Sequence, residues 1–272
     1  GWYVKGEREH LFAYSAHVGT DQFGYVLGVE TTPGNIHDNQ VFDKVYGKIS
    51  DKFADQINGV AVDAGYRTGI IAKHITDNNH IPHMPYKRPS TPKGNFKPYE
   101  FVYDAYYKDI ICPNNKLLKF KRTMREGKHR FESDPEDCAE CPFKSKCTDS
   151  SHKRFDLSIY HDIMDYVDDL RYTEYGKEIY RRRGETVERI FGDFKEKHNG
   201  RYTRYRGIEK VSNEQLLIFA VMNIKKMAIW MDKKTRETLD SYIFDVIFEY
   251  FHQKKALHSK RSYTSGFEKC LL

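Results

Sequence analysis

Residues 59–67 read Gly-Val-Ala-Val-Asp-Ala-Gly-Tyr-Arg, a short apolar run that stops at an acidic side chain. The run predicts a short buried strand over Gly59–Val62, with Asp63 at its carboxyl end. A turn then leads into a helix predicted over Thr68–Asn78. Functional side chains gather where strands end in an open α/β sheet, so Asp63 is the first candidate site residue.

Strand and helix signals alternate on both sides of this run. His10–His17 and Phe23–Thr31 predict an antiparallel hairpin closed by the polar turn 19–22. A Pro-Gly break follows, and His37–Asn39 open a predicted helical stretch whose apolar side chains, from Val41 to Phe53, lie close to helical spacing. Ile81–Tyr86 predicts a further strand despite its two prolines. This order predicts an α/β fold.

The sequence changes character at about residue 89, where Pro, Lys and Ser become frequent and helical periodicity is lost. Helices are predicted again over Leu157–Leu170 and Glu174–Asn199, and Leu216–Met231 is apolar nearly all round, which predicts a buried core helix. We interpret the organisation as a first part of a core over 1–90, a cysteine-bearing insertion over 91–155, a helical second part over 156–232 and a basic extension over 233–272.

Composition narrows the class of protein. The formal net charge of +6 leans towards an anionic partner. The longest apolar run, Leu216–Met222, falls far short of the roughly 20 residues that a membrane span needs. Five unevenly placed cysteines do not form the pattern of a secreted disulfide framework. We therefore expect a cytosolic protein with no membrane partner.

A second acid, Glu188, lies beside the apolar face of the predicted helix over Glu174–Asn199. Lys195 follows seven residues on, two turns along the same face. Taken singly, an Asp after a strand is usually a cap, and a Glu in a charged helix is usually solvated. The ordered combination of motifs is more specific than either acid.

Three segments carry a family resemblance: TPGNIHD (32–38), VAVDAGYR (60–67) and VERIFGDFK (187–195). Together with RYTRYRG (201–207) they resemble the insertion-sequence DDE transposases with an RNase H-like core, over about residues 8–232. The resemblance implies an RNase H-like mixed sheet flanked by helices and interrupted by an insertion before the helix that bears the catalytic glutamate.

The resemblance also assigns site residues. Asp63 matches the second acid of the family, Glu188 the third, and Lys195 the lysine that follows it. Tyr180 and Arg183 match the preceding tyrosine and arginine, although four residues separate Arg183 from Glu188 where the family has three. Asp63 and Glu188 would then bind Mg²⁺ or Mn²⁺ for DNA strand cleavage and strand transfer.

The first acid of the family has no convincing match in this sequence. Asp21 lies in the predicted hairpin turn, and Asp38 follows the second strand instead of lying on the first. We expect the first strand and its Asp upstream of Gly1, so that these 272 residues alone would bind metal weakly and cleave poorly.

Basic and aromatic side chains surround Glu188. Cations there can neutralise phosphates and position a DNA strand, and Tyr202 and Tyr205 could stack on bases. The alternative is an ordinary solvated helix face. The candidate DNA-binding residues are Tyr180, Arg183, Lys197, Arg201, Arg204 and Arg206. The resemblance implies DNA ends and target DNA as partners, homo-oligomers during synapsis, and a bacterial cytoplasm with nucleoid association.

Cysteines in the insertion have the spacing of metal ligands. Cys138 and Cys141 form a C-x2-C pair, and Cys147 and the distant Cys112 would complete a four-thiolate site for one structural Zn²⁺. His129 or His152 could replace one sulfur, and four reduced, unligated thiols are the alternative. Cys270 is interpreted as a free thiol.

Three other functions remain open. The chain could be a truncated or domesticated relative that binds DNA without catalysis, which the unmatched first acid favours. It could also be a different RNase H-like nuclease, or a zinc-stabilised interaction protein in which Asp63 and Glu188 are structural. Strand transfer would separate a transposase from a simple nuclease, and metal-dependent nicking would exclude a purely structural role.

Overall fold

Two antiparallel hairpins open the chain. The computed structural model describes the backbone of residues 2–5 and 9–259 and the side chains of residues 12–238. The strands are β1 (Trp2–Lys5), β2 (Glu9–Phe12), β3 (Tyr14–Thr20) and β4 (Val26–Pro33). β3 pairs with β4, as predicted, with Ala16 opposite Thr31. The turn between them is closed by Asp21, whose carboxylate accepts hydrogen bonds from the backbone N–H groups of Phe23 and Tyr25.

A parallel strand pair carries the motif around Asp63. The elements are α1 (Phe42–Phe53), β5 (Gly59–Ala61), α2 (Gly69–Asp77) and β6 (Ile81–His83). β5 and β6 pair in parallel and α2 connects them, as in a βαβ unit. The Thr68 hydroxyl accepts from the Ile71 N–H and so begins α2. The predicted strands and helices of this part are confirmed.

A hydrophobic core holds this part together. Phe42 and Tyr46 of α1 pack with Ile71 and Ile75 of α2, and Val167 from a later helix completes the cluster. Ile75 is fully buried and Val167 is 1% exposed. Burial of such side chains stabilises the fold by roughly 1.5–3 kcal/mol each. The core therefore fixes the turn that follows β5.

A five-stranded antiparallel sheet occupies most of the cysteine-bearing segment. Its strands are β7 (Val102–Asp104), β8 (Asp109–Ile111), β9 (Leu117–Met124), β10 (Lys128–Ser133) and β11 (Arg154–Ser158), paired in chain order. Two short helices, α3 (Pro135–Ala139) and α4 (Lys144–Cys147), lie between β10 and β11. A second hydrophobic cluster supports this sheet. That the segment is an insertion into a larger core stays a prediction.

Helices follow the sheet: α5 (His161–Leu170), α6 (Glu174–Arg183), a π turn (Gly184–Glu188), α7 (Arg189–Lys197) and α8 (Ile208–Ser259). The predicted long helix from Glu174 is confirmed, with the π turn inside it. The α/β class is also confirmed. Across residues 2–5 and 9–259 the strands pair as four sheets, and an RNase H-like arrangement of them stays a prediction.

The chain divides into two compact units, Gly1–Gln215 and Leu216–Leu272. The prediction of a buried helix over Leu216–Met231 is wrong in its burial, because Leu217 is 66% exposed and Ile224 60%. Apolar side chains lie all round this part of α8, so a single packed face would leave the others in solvent. Cys270 lies outside the described residues. No described helix is long and apolar enough to span a membrane.

Candidate functional site

Asp63 begins a tight turn at the end of β5. Its carboxylate accepts a hydrogen bond from the Ala64 N–H at 2.6 Å, so it caps the 3-10 turn Ala64–Tyr66. Asp63 therefore has the capping role that is usual for an Asp after a strand. The side chain nevertheless stays 62% exposed, so its carboxylate remains open to a ligand.

Arg183 brings Asp63 and Glu188 together. One nitrogen of its guanidinium, Nη2, lies 3.6 Å from Asp63 Oδ1 and 3.5 Å from Glu188 Oε1. Glu188 is 67% exposed, whereas the Arg183 side chain is only 14% exposed. Two accessible carboxylates, distant in sequence, thus converge on one partly buried cation.

The π turn explains how Arg183 reaches Glu188. Four residues lie between them, and the wider turn over Gly184–Glu188 takes up one residue more than an α-helical turn. The Thr186 hydroxyl donates to the Arg182 carbonyl at 2.9 Å inside this turn. The Tyr180 ring lies 5.3 Å from the Arg183 guanidinium carbon, a cation–π contact. The departure in spacing is therefore compatible with a paired arginine and glutamate.

A polar network lies beneath the Asp63 turn. His17 is 4% exposed, and its ring nitrogens lie 2.8 Å from the Tyr66 hydroxyl and 2.9 Å from Thr32 Oγ1. Burial raises the pKa of Tyr66, and the charges of Asp38 and Asp63 raise it further. Tyr66 therefore stays protonated and can donate a hydrogen bond at neutral pH.

Asp38 belongs to the surroundings of this network. Its Oδ1 lies 3.8 Å from His17 Nδ1, and its side chain is 49% exposed. A Cβ at Gly65 would meet Asp38 Oδ2 at 2.5 Å, so a larger residue there would displace the Asp38 carboxylate from its present position. In the sequence, Asp38 does not lie at the position of the family's first acid. The position of Asp38 in the TPGNIHD segment was the one sequence signal that could have placed this residue beside the Asp63 turn.

The acids suit a divalent cation by chemistry, since carboxylate oxygens are the ligands that Mg²⁺ and Mn²⁺ favour. Among the described residues, however, no three His, Cys, Asp or Glu side chains form a group that could hold a metal ion. Asp63 and Glu188 are two acids sharing one guanidinium nitrogen. They fit a metal as two of its ligands, and further oxygens would have to come from elsewhere.

The predicted DNA-binding cations differ in their pairing. Lys197 contacts Asp193 at 2.7 Å, and this hydrogen bond lowers the pKa of Asp193. Arg201 pairs with Glu196. Arg204 and Arg206 are exposed in the loop before α8 and have no ion pair within the described part of the chain. Arg204 and Arg206 are therefore the better candidates for phosphate contacts.

Two other groups of predicted site residues are exposed. Lys195 lies exposed on α7 without a salt bridge among residues 12–238. Tyr202 is 75% exposed and Tyr205 51%, so both rings are open to stacking. Neither ring is placed by a contact to the two acids.

All four cysteines of the sheet segment line one cavity. Cys112 follows β8, Cys138 lies in α3, Cys141 follows it and Cys147 ends α4. All are free thiols and half-buried. Burial raises the pKa of Cys147; Lys153 opposes this shift, and the other three cysteines add to it.

Residues 111–228 match the family model described as the transposase DDE domain. No curated protein and no solved structure matches the chain. The matched stretch includes Glu188 and all four cysteines of the cavity but not Asp63, whose assignment depends on its motif and its geometry. The similarity of residues 111–228 to the transposase DDE domain family therefore supports the recognition of a DDE transposase from the sequence.

Proposed function

We propose that this protein performs metal-dependent DNA strand cleavage and strand transfer for the transposition of an insertion sequence. The observation that supports the proposal best is the convergence of Asp63 and Glu188 on Arg183 Nη2. Displacement at phosphorus needs clustered negative side chains for metal ions and positive ones for phosphate. The family of residues 111–228 supports the same chemistry.

Each side chain has a defined task in this proposal. Asp63 and Glu188 would hold Mg²⁺ or Mn²⁺, which when bound stabilises the attacking and leaving oxygens of the displacement. Arg183 offsets one of the two carboxylate charges, and the Tyr180 ring and the π turn position it. Lys195, Arg204 and Arg206 would neutralise backbone phosphates of the DNA.

The partners follow from this chemistry. We propose transposon ends and target DNA as substrates, synapsis by a homo-oligomer, and action in the bacterial cytoplasm at the nucleoid. Arg204 and Arg206 can contact phosphates of any sequence, so they would contribute affinity without sequence recognition.

The test is strand cleavage and strand transfer of labelled DNA ends with Mg²⁺ or Mn²⁺. Because the first acid of the family has no convincing match in these residues, the assay uses these 272 residues and any longer version that the gene encodes. Asp63→Asn and Glu188→Gln should abolish both reactions while DNA binding persists. Cleavage that survives either substitution would overturn the assignment.

A second function is DNA binding without catalysis. Arg183 already offsets one of the two negative charges of Asp63 and Glu188, and no group of three metal-binding side chains is formed among the described residues. DNA binding by both versions, with no metal-dependent cleavage by either, would favour this second function. Cleavage without strand transfer would indicate a different nuclease.

A further inference from the structure

The cavity between β8 and α4 gathers side chains from distant parts of the sequence. Cys112 follows β8, whereas Cys138, Cys141 and Cys147 belong to the excursion between β10 and β11. A fold that needed only apolar packing would have no reason to bring four thiols to one cavity. Their convergence is the first observation that points to a soft metal ion.

The backbone around three of the thiols forms hydrogen-bonded turns. The Cys112 N–H donates to the Lys116 carbonyl, and the Asn115 N–H donates to the Cys112 carbonyl at 2.8 Å, which forms a tight turn. In the C-x2-C segment, the Cys141 N–H donates to the Cys138 carbonyl. Tight turns of this kind present sulfur ligands from one short segment.

Contacts also connect the two segments. Lys116 Nζ lies 2.8 Å from Asp137 Oδ1, beside Cys138. Cys112 and Cys147 both pack against the hydrophobic cluster of Phe101, Ile110, Leu118 and Phe131. That cluster contains only four buried residues. A small core of this size gains most from an additional cross-link.

The charge of the lining fits a metal thiolate. A zinc ion with four thiolates carries a net charge of about −2. Lys116, Lys144 and Lys153 line the same cavity, against one acid, Asp137. Ser133, 6% exposed, places its Oγ 3.0 Å from Cys138 Sγ and could donate to a thiolate there.

We propose that Cys112, Cys138, Cys141 and Cys147 bind one structural Zn²⁺, which ties the β8–β9 turn to the excursion between β10 and β11. The thiols line one cavity, but their sulfur atoms do not yet surround a common point. Among the described residues, no group of three ligands could hold a metal ion in the present side-chain positions. Rotation of a cysteine side chain between staggered positions moves the sulfur and leaves the backbone in place. This site is independent of Asp63 and Glu188.

Metal analysis of the full chain, purified under reducing conditions, tests the proposal. We expect about one zinc per chain. Replacement by Co²⁺ should give the thiolate charge-transfer and visible bands of tetrahedral cobalt. Cys141→Ser should lose the zinc and the tetrahedral cobalt spectrum. Cys141→His should retain both with an altered spectrum, since imidazole is also a zinc ligand. Cys270→Ser is the matched control and should behave as the parent protein.

A chain that binds no zinc or cobalt and gives a Cys138–Cys141 disulfide or five freely titrating thiols, Cys270 included, would overturn the proposal. If Cys141→Ser fails to fold, removal of zinc from the parent by a chelator decides the matter. Chelation should release one zinc, expose four thiols to a thiol reagent and lower the melting temperature. A chelator that releases no zinc, with thiol reactivity unchanged, would contradict the site.

Discussion

The guanidinium of Arg183 lies 3.5 Å from the carboxylate of Glu188 across one π turn, although four residues separate them. In a regular α-helix, side chains three or four positions apart are neighbours, and those five apart diverge. The π turn restores the contact by widening the helix at one place. π turns are rare and occur frequently at functional sites, which agrees with the position of this one beside both acids.

Removal of one residue from the π turn should therefore be tolerated. Deletion of Glu185 would convert the turn into an α-helical one and leave Arg183 and Glu188 four positions apart. Among the described residues the Glu185 side chain pairs with Arg181, an exposed ion pair of a kind that contributes about 0–1 kcal/mol. We expect a melting temperature close to that of the parent by circular dichroism.

The matched control for this deletion is removal of Gly192 from α7. That deletion rotates everything after it by about 100°, so Phe194, which is 4% exposed, would leave the core. Its melting temperature should fall strongly. Equal destabilisation by the two deletions would show that the π turn does not simply absorb an extra residue.

Local patterns predicted the elements around Asp63 because each has a clear period or a clear stop signal. The sheet β7–β11 had no such signal. In β9 only Leu118 is buried and six of its eight residues are exposed, so the strand lacks an apolar face that the sequence could reveal. The placement of Asp38 beside Gly65 is a tertiary contact, which local periodicity does not contain.

Glu188 should contribute to metal affinity, whereas the neighbouring Glu185 should not. Both side chains are exposed, at 67% and 59%, and they lie on the same helical stretch. Only Glu188 shares Arg183 with Asp63. Glu188→Gln should weaken Mn²⁺ binding measured by paramagnetic resonance, and Glu185→Gln should leave it unchanged. Equal effects of the two substitutions would show that the helix binds Mn²⁺ only through its surface charge.

Acid should destabilise the protein through two buried histidines. Burial lowers the pKa of His83, and it lowers that of His17 against the opposing charges of Asp38 and Glu30. The unfolded chain then binds more protons than the folded one below about pH 6.5, so the free energy of unfolding falls as pH falls. Each proton contributes a slope of at most about 1.4 kcal/mol per pH unit.

The variant His83→Phe isolates one of these two histidines. His83 is 3% exposed, and its ring packs edge-on against Tyr175 at 5.4 Å, a contact that phenylalanine can keep. Its Nε2 has no hydrogen-bond partner among the described residues, so none is lost. Denaturant unfolding between pH 7.5 and 5 should show a shallower loss of stability than in the parent. An unchanged slope would exclude His83 as a source of the acid sensitivity.

Salt dependence should separate the unpaired arginines from the paired cations. Arg204 and Arg206 have no ion pair within the described residues, whereas Lys197 and Arg201 are partly neutralised by Asp193 and Glu196. For each phosphate contact to duplex DNA, the slope of log affinity against log salt changes by about 0.9. The double variant Arg204→Ala, Arg206→Ala should therefore lower the magnitude of the slope by nearly twice that amount and weaken binding to all sequences alike.

The double variant Lys197→Ala, Arg201→Ala is the control, since it removes the same charge, and it should change the slope less. Equal slopes for the two double variants would show that DNA binding breaks the ion pairs of Lys197 and Arg201. In that case, the ion pairs of the free protein would not identify which of the four cations bind phosphate.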